Sequence, residues 1–203
     1  MAPALAESSA VRLPADANTD IPVIALNWLS QYDILREEVT EYHMMWSNVL
    51  HGLIFPFYAI DYALNAKKLV AWQARLFSRG GEARQKYMTV GPKEEVFFCV
   101  SLDKARKHGI ILVEDVISAI KVGRHACTMP LLGSHVSLNR QIQLRKYTDK
   151  LTFWLDYDKS VDANKFATAC AIIGYKTNVI MTPDDPKELS DQEIKEMLVE
   201  VDY

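Results

Sequence analysis

Two apolar runs in this sequence end in acid: GIILV is followed by Glu114, and LTFWL by Asp156, with Asp158 two positions on in DYDKS. Short continuous apolar runs read as strands buried on both faces, and acids at their carboxyl ends face the edge where ligands gather in an open α/β sheet. Three carboxylates at one edge repel one another unless a cation lies among them. Oxygen donors with no His or Cys beside them suit a hard ion, Mg²⁺ or Mn²⁺, over zinc. The D-x-D spacing puts Asp156 and Asp158 on one side provided the backbone stays extended, so the pair could hold one or two ions against a phosphate. Either acid could equally cap the helix that follows, and a lone D-x-D does not separate the two readings.

For those acids to meet, the chain must supply parallel strands with helices between them, and from Gly109 onward the pattern does so. GIILVE, ACTMPLL, LTFWLD and YKTNVIMT read as strands, DVISAIKVGRH and VDANKFATACAIIG as helices, and SLNRQIQLRKYTDK as a basic amphipathic helix. That alternation means a parallel α/β sheet with helices on both faces. SDQEIKEMLVEV closes the chain as a helix, with Ser190 as N-cap and Glu193 at the capping-box position. Upstream, Ile21 to about Trp46 spaces its apolar residues as two short helices, with Thr40 placed as a cap. HGLIFPFYAI and LVAWQARLF then read as a hairpin, SRGGEARQ as a loop, and KYMTVGPKEEVFFCV as a short strand, a Gly-Pro turn and a further strand. SLDKARKHG is a helix ending at Gly109. The expected division is a flexible arm over 1–20, a helical lead-in and smaller mixed α+β basic subdomain over 21–108, the α/β domain over 109–183, and an acidic C-terminal helix over 184–203.

The 203 residues, 49% hydrophobic and 24% charged, are ordinary for a soluble globular chain that buries a sizeable core. No run approaches the roughly 18–20 apolar residues of a membrane span, and the opening shows no signal-peptide core. Three widely spaced cysteines suit a reducing compartment and read as small buried hydrophobes, so a cytoplasmic location is expected. The net charge of −3 hides an asymmetry: ten Lys/Arg against four acids from Lys67 to Lys107, six against one from Lys121 to Lys150, and two against eight from Thr182 to Tyr203. Basic middle segments with an acidic tail can hold a polyanion locally, although the same runs also suit solvated faces.

GIILVEDVISAI followed by LTFWLDYDKS resembles the Toprim domain, whose signature is a strand-end Glu and a later D-x-D. The segment HGLIFPFY…LVAWQARLF…QKYMTVGPKEEVFFCVSLDKA resembles the basic subdomain of bacterial-type and bacteriophage primases, and ALNWLSQYDILREEV is similar to that family's helical lead-in. The resemblance covers roughly Ile21 to Pro186 and implies a Toprim-type parallel sheet flanked by helices. Carried over by position, Glu114 matches an acid acting in general acid/base chemistry and metal contact, and Asp156 and Asp158 match the metal-binding pair. Arg75 matches a Gly-Arg arginine, and Lys86 with Tyr87 a Lys-Tyr pair; these residues, with Arg79, Arg84 and Lys159, would grip triphosphate or the nucleic-acid backbone. Asp185 resembles an acidic turn near the family site, though a plain turn residue reads as well. The chain departs from the family pattern at Asp115, where Gly is usual, at Ser118, where an acid is usual, and at Ser160–Val161, where Ala-Gly often follows D-x-D.

The resemblance implies a primase making short primers on single-stranded DNA from nucleoside triphosphates, with Mg²⁺ or Mn²⁺ as cofactor and a helicase or polymerase as partner. No Cys/His pattern supports that family's zinc domain and no Walker-type motif a fused helicase, so a bare core of bacteriophage type is expected. Two other readings stay open: a Toprim nuclease using the same metals, which the basic subdomain argues against, and a non-catalytic DNA-binding replisome adaptor, which the departures at Asp115 and Ser118 favour.

Overall fold

The computed structural model describes residues 10–61, 66–78, 85–98, 101–133 and 136–200. Two short helices, α1 (Val23–Ser30) and α2 (Arg36–Glu41), open the ordered chain as their apolar spacing predicts. An antiparallel sheet follows, in the order β1 (Met45–Ser47), β2 (Gly52–Asp61), β3 (Ala66–Leu76), β4 (Tyr87–Val90). The β2–β3 hairpin runs from Gly52↔Leu76 to Asp61↔Ala66, with one irregularity between Phe57 and Tyr58. In β2, alternate residues face opposite ways: Leu53, Phe55 and Phe57 enter the main core, while Ile54 packs with Trp72 and Ala74 on the other face.

Two expectations are corrected here. Met45–Ser47 is a strand, not the end of a helix: Trp46 exchanges backbone hydrogen bonds of 2.7 and 2.9 Å with Asn18, and Met45–Ser47 pairs with β2. Residues 1–20 are not a loose arm throughout. Val11, Leu13 and Ala17 pack on the outer face of the sheet, the Arg12 carbonyl accepts from Trp72 Nε1 at 2.9 Å, and Asp16 accepts from Ser47 Oγ at 2.8 Å. A sheet with apolar residues on both faces needs a second cover, and this segment supplies it.

The second sheet is parallel, in the order β6 (Thr128–Pro130), β5 (Ile110–Val113), β7 (Lys150–Phe153), β8 (Lys176–Val179). Helix α3 (Leu102–His108) leads into β5, and α4 (Val116–Gly123), α5 (Leu138–Leu144), α6 (Ser160–Ile172) and α7 (Asp191–Glu200) lie between and after these strands. The run IILV is wholly buried because each face has its own cover. Ile111 and Val113 join Ile117 and Ile120 of α4, Ile194 and Leu198 of α7, and Phe55 and Phe57 of the first sheet. Ile110 and Leu112 join Ala105 of α3, Leu144 of α5, and Ala163 and Cys170 of α6. The first of these clusters spans both sheets, so the basic and α/β parts share a core. Among the described residues no helix is long and apolar enough to cross a membrane.

Two further segments differ from the sequence reading. After β4 comes a single 3-10 turn, Lys93–Glu95, and Val96–Phe98 form no strand. Val96 is buried, and its carbonyl accepts from Arg140 Nη2 at 3.1 Å instead of from a neighbouring strand. The basic helix stops at Leu144, and Lys150 opens β7. Its Arg140 is 2% exposed and also donates to the Lys93 and Pro130 carbonyls at 2.9 Å, so this cation ties loops together and does not face a polyanion.

Gly109 sets where β5 begins. Its φ is +102°, ψ −171°, and a Cβ there would lie 2.7 Å from Lys150 Cβ and 2.8 Å from the Lys150 carbonyl oxygen. Only glycine adopts this backbone without strain, and only glycine lets β5 start against β7. Gly109→Ala is expected to cost about 2–3 kcal/mol, read as a lower urea midpoint at unchanged slope. A loss under half a kilocalorie would show that the neighbouring backbone gives way freely.

Candidate active site

The parallel register brings the two acid-bearing strand ends together. Leu112 of β5 is level with Phe153 of β7, and Trp154 N–H donates to the Leu112 carbonyl at 2.9 Å. Glu114 and Asp156 therefore emerge side by side at the carboxyl edge, as the strand-end acids predict. Leu132 N–H donates to the Glu114 carbonyl at 3.1 Å, which brings the end of β6 to the same edge. Leu132 has φ +55°, an uncommon backbone for a non-glycine residue and a form of strain that concentrates at functional sites.

These residues line one cavity of about 350 Å³. Glu114, Asp115 and Asp156 form one wall, Leu132 and Gly133 a lip, and Gln73, Arg75 and Tyr87 of the antiparallel sheet, with Lys86 just before β4, line the rest. Trp28 and Tyr32, an edge-to-face pair with ring centroids 5.5 Å apart, complete it from α1 and the turn after it. Arg75 pairs with Tyr87 across β3 and β4, and its guanidinium lies 5.1 Å from the Tyr87 ring, 5.4 Å from Trp28 and 6.0 Å from Phe77. Those rings hold the cation by its faces; among the described residues its Nε is buried without a hydrogen-bond partner. Burial first, and the Asp115 charge next, push the Tyr87 phenol up to about 12, with Arg75 opposing.

Asp158 behaves differently. Residues Tyr157–Lys159 form a 3-10 turn, closed by Lys159 N–H donating to the Asp156 carbonyl at 2.8 Å, so the extended backbone that D-x-D needs is absent. The Asp158 side chain is 73% exposed, pairs with Lys159 Nζ at 3.3 Å, and does not line the cavity. The structure thus gathers Glu114, Asp156, Arg75, Lys86 and Tyr87, and places Asp158 and Lys159 outside the cavity lining. Arg79 and Arg84 lie outside the described residues.

The feature that sequence reasoning missed is Lys187. Its Nζ donates to Asp185 Oδ2 at 2.7 Å, Asp115 Oδ2 at 3.1 Å and Asp156 Oδ2 at 3.2 Å, with the side chain 15% exposed. Asp115 also caps α4, its Oδ1 accepting from Ser118 N–H at 2.9 Å. Asp185 therefore belongs to the site and is more than a turn residue. The available signal was the loop after the fourth strand, which must reach the same carboxyl edge as the others.

Burial is the main cause that lifts the Asp156 carboxyl from 3.8 to about 7; Lys187 pulls it back while Asp115, Asp185 and Glu114 push it up. Glu114 is raised as well, again mainly by burial, with Lys159 opposing. Burial works against the Lys187 ammonium, yet Asp115, Asp185 and Asp156 together hold its pKa above the usual lysine value.

Among the described residues no three Asp, Glu, His or Cys side chains form a ready metal cage. The donor set still fits a hard divalent ion. Among the described residues Asp156 Oδ1 is buried with no partner, Glu114 lines the same cavity, and Mg²⁺ is commonly held by one or two carboxylates plus substrate phosphates.

No family model and no curated protein matches the chain. Solved structures do. The zinc-binding and RNA polymerase domains of the Aquifex aeolicus primase align with 91% of this chain and 50% of theirs, at 18% identity and a TM-score of 0.62. The RNA polymerase domain of Mycobacterium tuberculosis primase DnaG, in complex with a double-stranded DNA oligomer bearing a 6-nucleotide overhang, aligns over 86% of this chain and 63% of its own at 17% identity and TM-score 0.58. The primase fragment of the bacteriophage T7 primase-helicase protein aligns over 97% and 81%, at 11% identity and TM-score 0.60. The chain spans half the length of the Aquifex chain it matches and has the fold of a primase catalytic core: a parallel four-stranded sheet flanked by helices, joined to an antiparallel sheet.

Proposed function

We propose that the chain is a primase-like nucleotidyltransferase, joining nucleoside triphosphates into short primers on single-stranded DNA. One observation carries the reading: strand-end carboxylates of one sheet and the Arg75, Lys86 and Tyr87 cluster of the other face each other across a single cavity. Phosphoryl transfer asks for this pairing of anionic and cationic walls, since alignment and charge neutralisation supply most of the rate. Glu114 and Asp156, the two carboxylates of the expected set that line the cavity, are the residues that would hold Mg²⁺ or Mn²⁺, which when bound neutralises triphosphate charge. Arg75 and Lys86 grip phosphate oxygens. The Glu114 carboxylate accepts the proton of the attacking 3′-hydroxyl. Trp28 and Tyr32 give a base a surface to stack on. DNA as partner is supported by the DNA-bound Mycobacterium structure, and a helicase partner and bacteriophage type by the T7 fragment.

A non-catalytic DNA-binding adaptor is the second reading, favoured by Asp158 turning outward and Lys187 filling the space among three carboxylates. Single-stranded DNA, labelled nucleoside triphosphates and Mg²⁺ or Mn²⁺, with Asp156→Asn as control, decide between them. Short products from the unaltered chain alone establish the primase. Template shortening indicates a nuclease. No reaction, with helicase and polymerase added, leaves the adaptor.

A further inference from the structure

A lysine ammonium has three donors, and those of Lys187 are all committed, to Asp115, Asp156 and Asp185. None is left for a substrate phosphate, so Lys187 serves the protein's own carboxylates. Its place is fixed from behind. Buried Lys121 of α4 donates to the Lys187 carbonyl at 2.9 Å. The loop leading to it is pinned by Trp154 Nε1 donating to Thr182 Oγ1 and Thr182 Oγ1 donating to the Asp184 carbonyl, at 2.9 and 2.8 Å. The ammonium also divides the ligand capacity of Asp156: Oδ2 is engaged by Lys187, and Oδ1 remains buried and, among the described residues, unpartnered.

We propose that Lys187 is a tethered cation standing in place of one divalent ion, so that the site loads a single metal ion through Asp156 Oδ1 and Glu114. The inference rests on the metal reading above and adds to it the number of ions and the residue that sets that number. Three carboxylates held 2.7–3.2 Å from one nitrogen are spaced for an ammonium; a divalent ion such as Mg²⁺ draws its oxygens to about 2.0–2.1 Å and competes poorly while Nζ is present. Lys187 acts as a positioning residue, holding Asp156 by Oδ2 and leaving Oδ1 for the ion. Removing its charge while keeping an apolar stem leaves Asp115, Asp156 and Asp185 facing one another unpaired, and that cluster then calls for a second ion.

The test is Mn²⁺ binding to the full chain, by calorimetry and by the free-ion electron paramagnetic resonance signal, for the unaltered protein, Lys187→Met and Lys187→Arg. One ion for the unaltered protein and for Lys187→Arg, with two for Lys187→Met, is the expected pattern. The Met variant should also gain more in melting temperature from Mn²⁺ than the unaltered chain does. Two ions in the unaltered protein, or one in a folded Lys187→Met with no added Mn²⁺ stabilisation, overturns the proposal and leaves the metal reading standing. If Lys187→Met does not fold with or without Mn²⁺, the unaltered stoichiometry decides, one supporting and two overturning. No ion bound to the unaltered chain sinks the metal reading itself.

Discussion

Asp156→Asn is expected to remove primer synthesis by roughly a thousandfold while making the protein harder to melt at pH 8. The rate follows from losing several kcal/mol of charge stabilisation at about 1.4 kcal/mol per decade. The stability gain follows from the carboxyl's position, lifted from 3.8 to about 7 chiefly by burial and only partly relieved by Lys187. Between those two values the folded chain holds a proton that the unfolded chain has released, so stability of the unaltered protein falls as pH rises through that window. Above about 7 the charged, buried carboxylate is a standing cost that Asn lacks. The gap in melting temperature should therefore be widest near pH 8 and close towards pH 4. A variant that is inactive and less stable at pH 8 would show that Asp156 serves the fold more than the chemistry.

Arg124→Ala should be the most damaging change away from the cavity. The guanidinium donates to both Glu38 oxygens at 2.7 and 2.8 Å, to Asp191 Oδ1 at 2.9 Å and to the Asp33 carbonyl at 2.7 Å. It is 17% exposed and Glu38 10%, so truncation strands a largely buried carboxylate. Among the described residues Glu38 then keeps its bond from Leu35 N–H at 2.7 Å. Breaking such a pair costs about 3–5 kcal/mol, or roughly 6–20 °C of melting temperature for a chain of this size. Glu38→Leu combined with Arg124→Met should recover part of it, because no charge is left behind. A single-variant loss below about 1 kcal/mol would place the pair with ordinary surface bridges.

The parallel sheet was legible because burial on both faces writes itself as unbroken apolar runs, and Glu114 and Asp156 because an acid at the end of such a run stands out. Asp158 was harder. Whether D-x-D stays extended depends on the turn at Tyr157–Lys159, which the residue types do not announce. Arg140 and Arg145 counted as basic surface, yet one is buried among carbonyls and the other lies 4.8 Å from the Tyr175 ring and donates to the Gly174 carbonyl at 2.8 Å. Charge in a sequence carries no sign of burial. Trp28 and Tyr32 fall inside the helically spaced run from Ile21 to Trp46, and Lys187 inside the acidic segment from Thr182 to Tyr203, with nothing local to single them out. Each acquires its role from a chain segment far away in sequence, which local patterning cannot show.

The cavity walls are drawn from positions as distant as Trp28 and Lys187, on either side of two sheets. In kinetic terms such a pocket is a late product of folding, because the entropy of closing the intervening loops is spent before any of these contacts forms. Intermediates in which each sheet has formed but the two have not docked would carry the β-strands without the binding cleft, and their uncovered apolar faces would be the aggregation-prone species during synthesis.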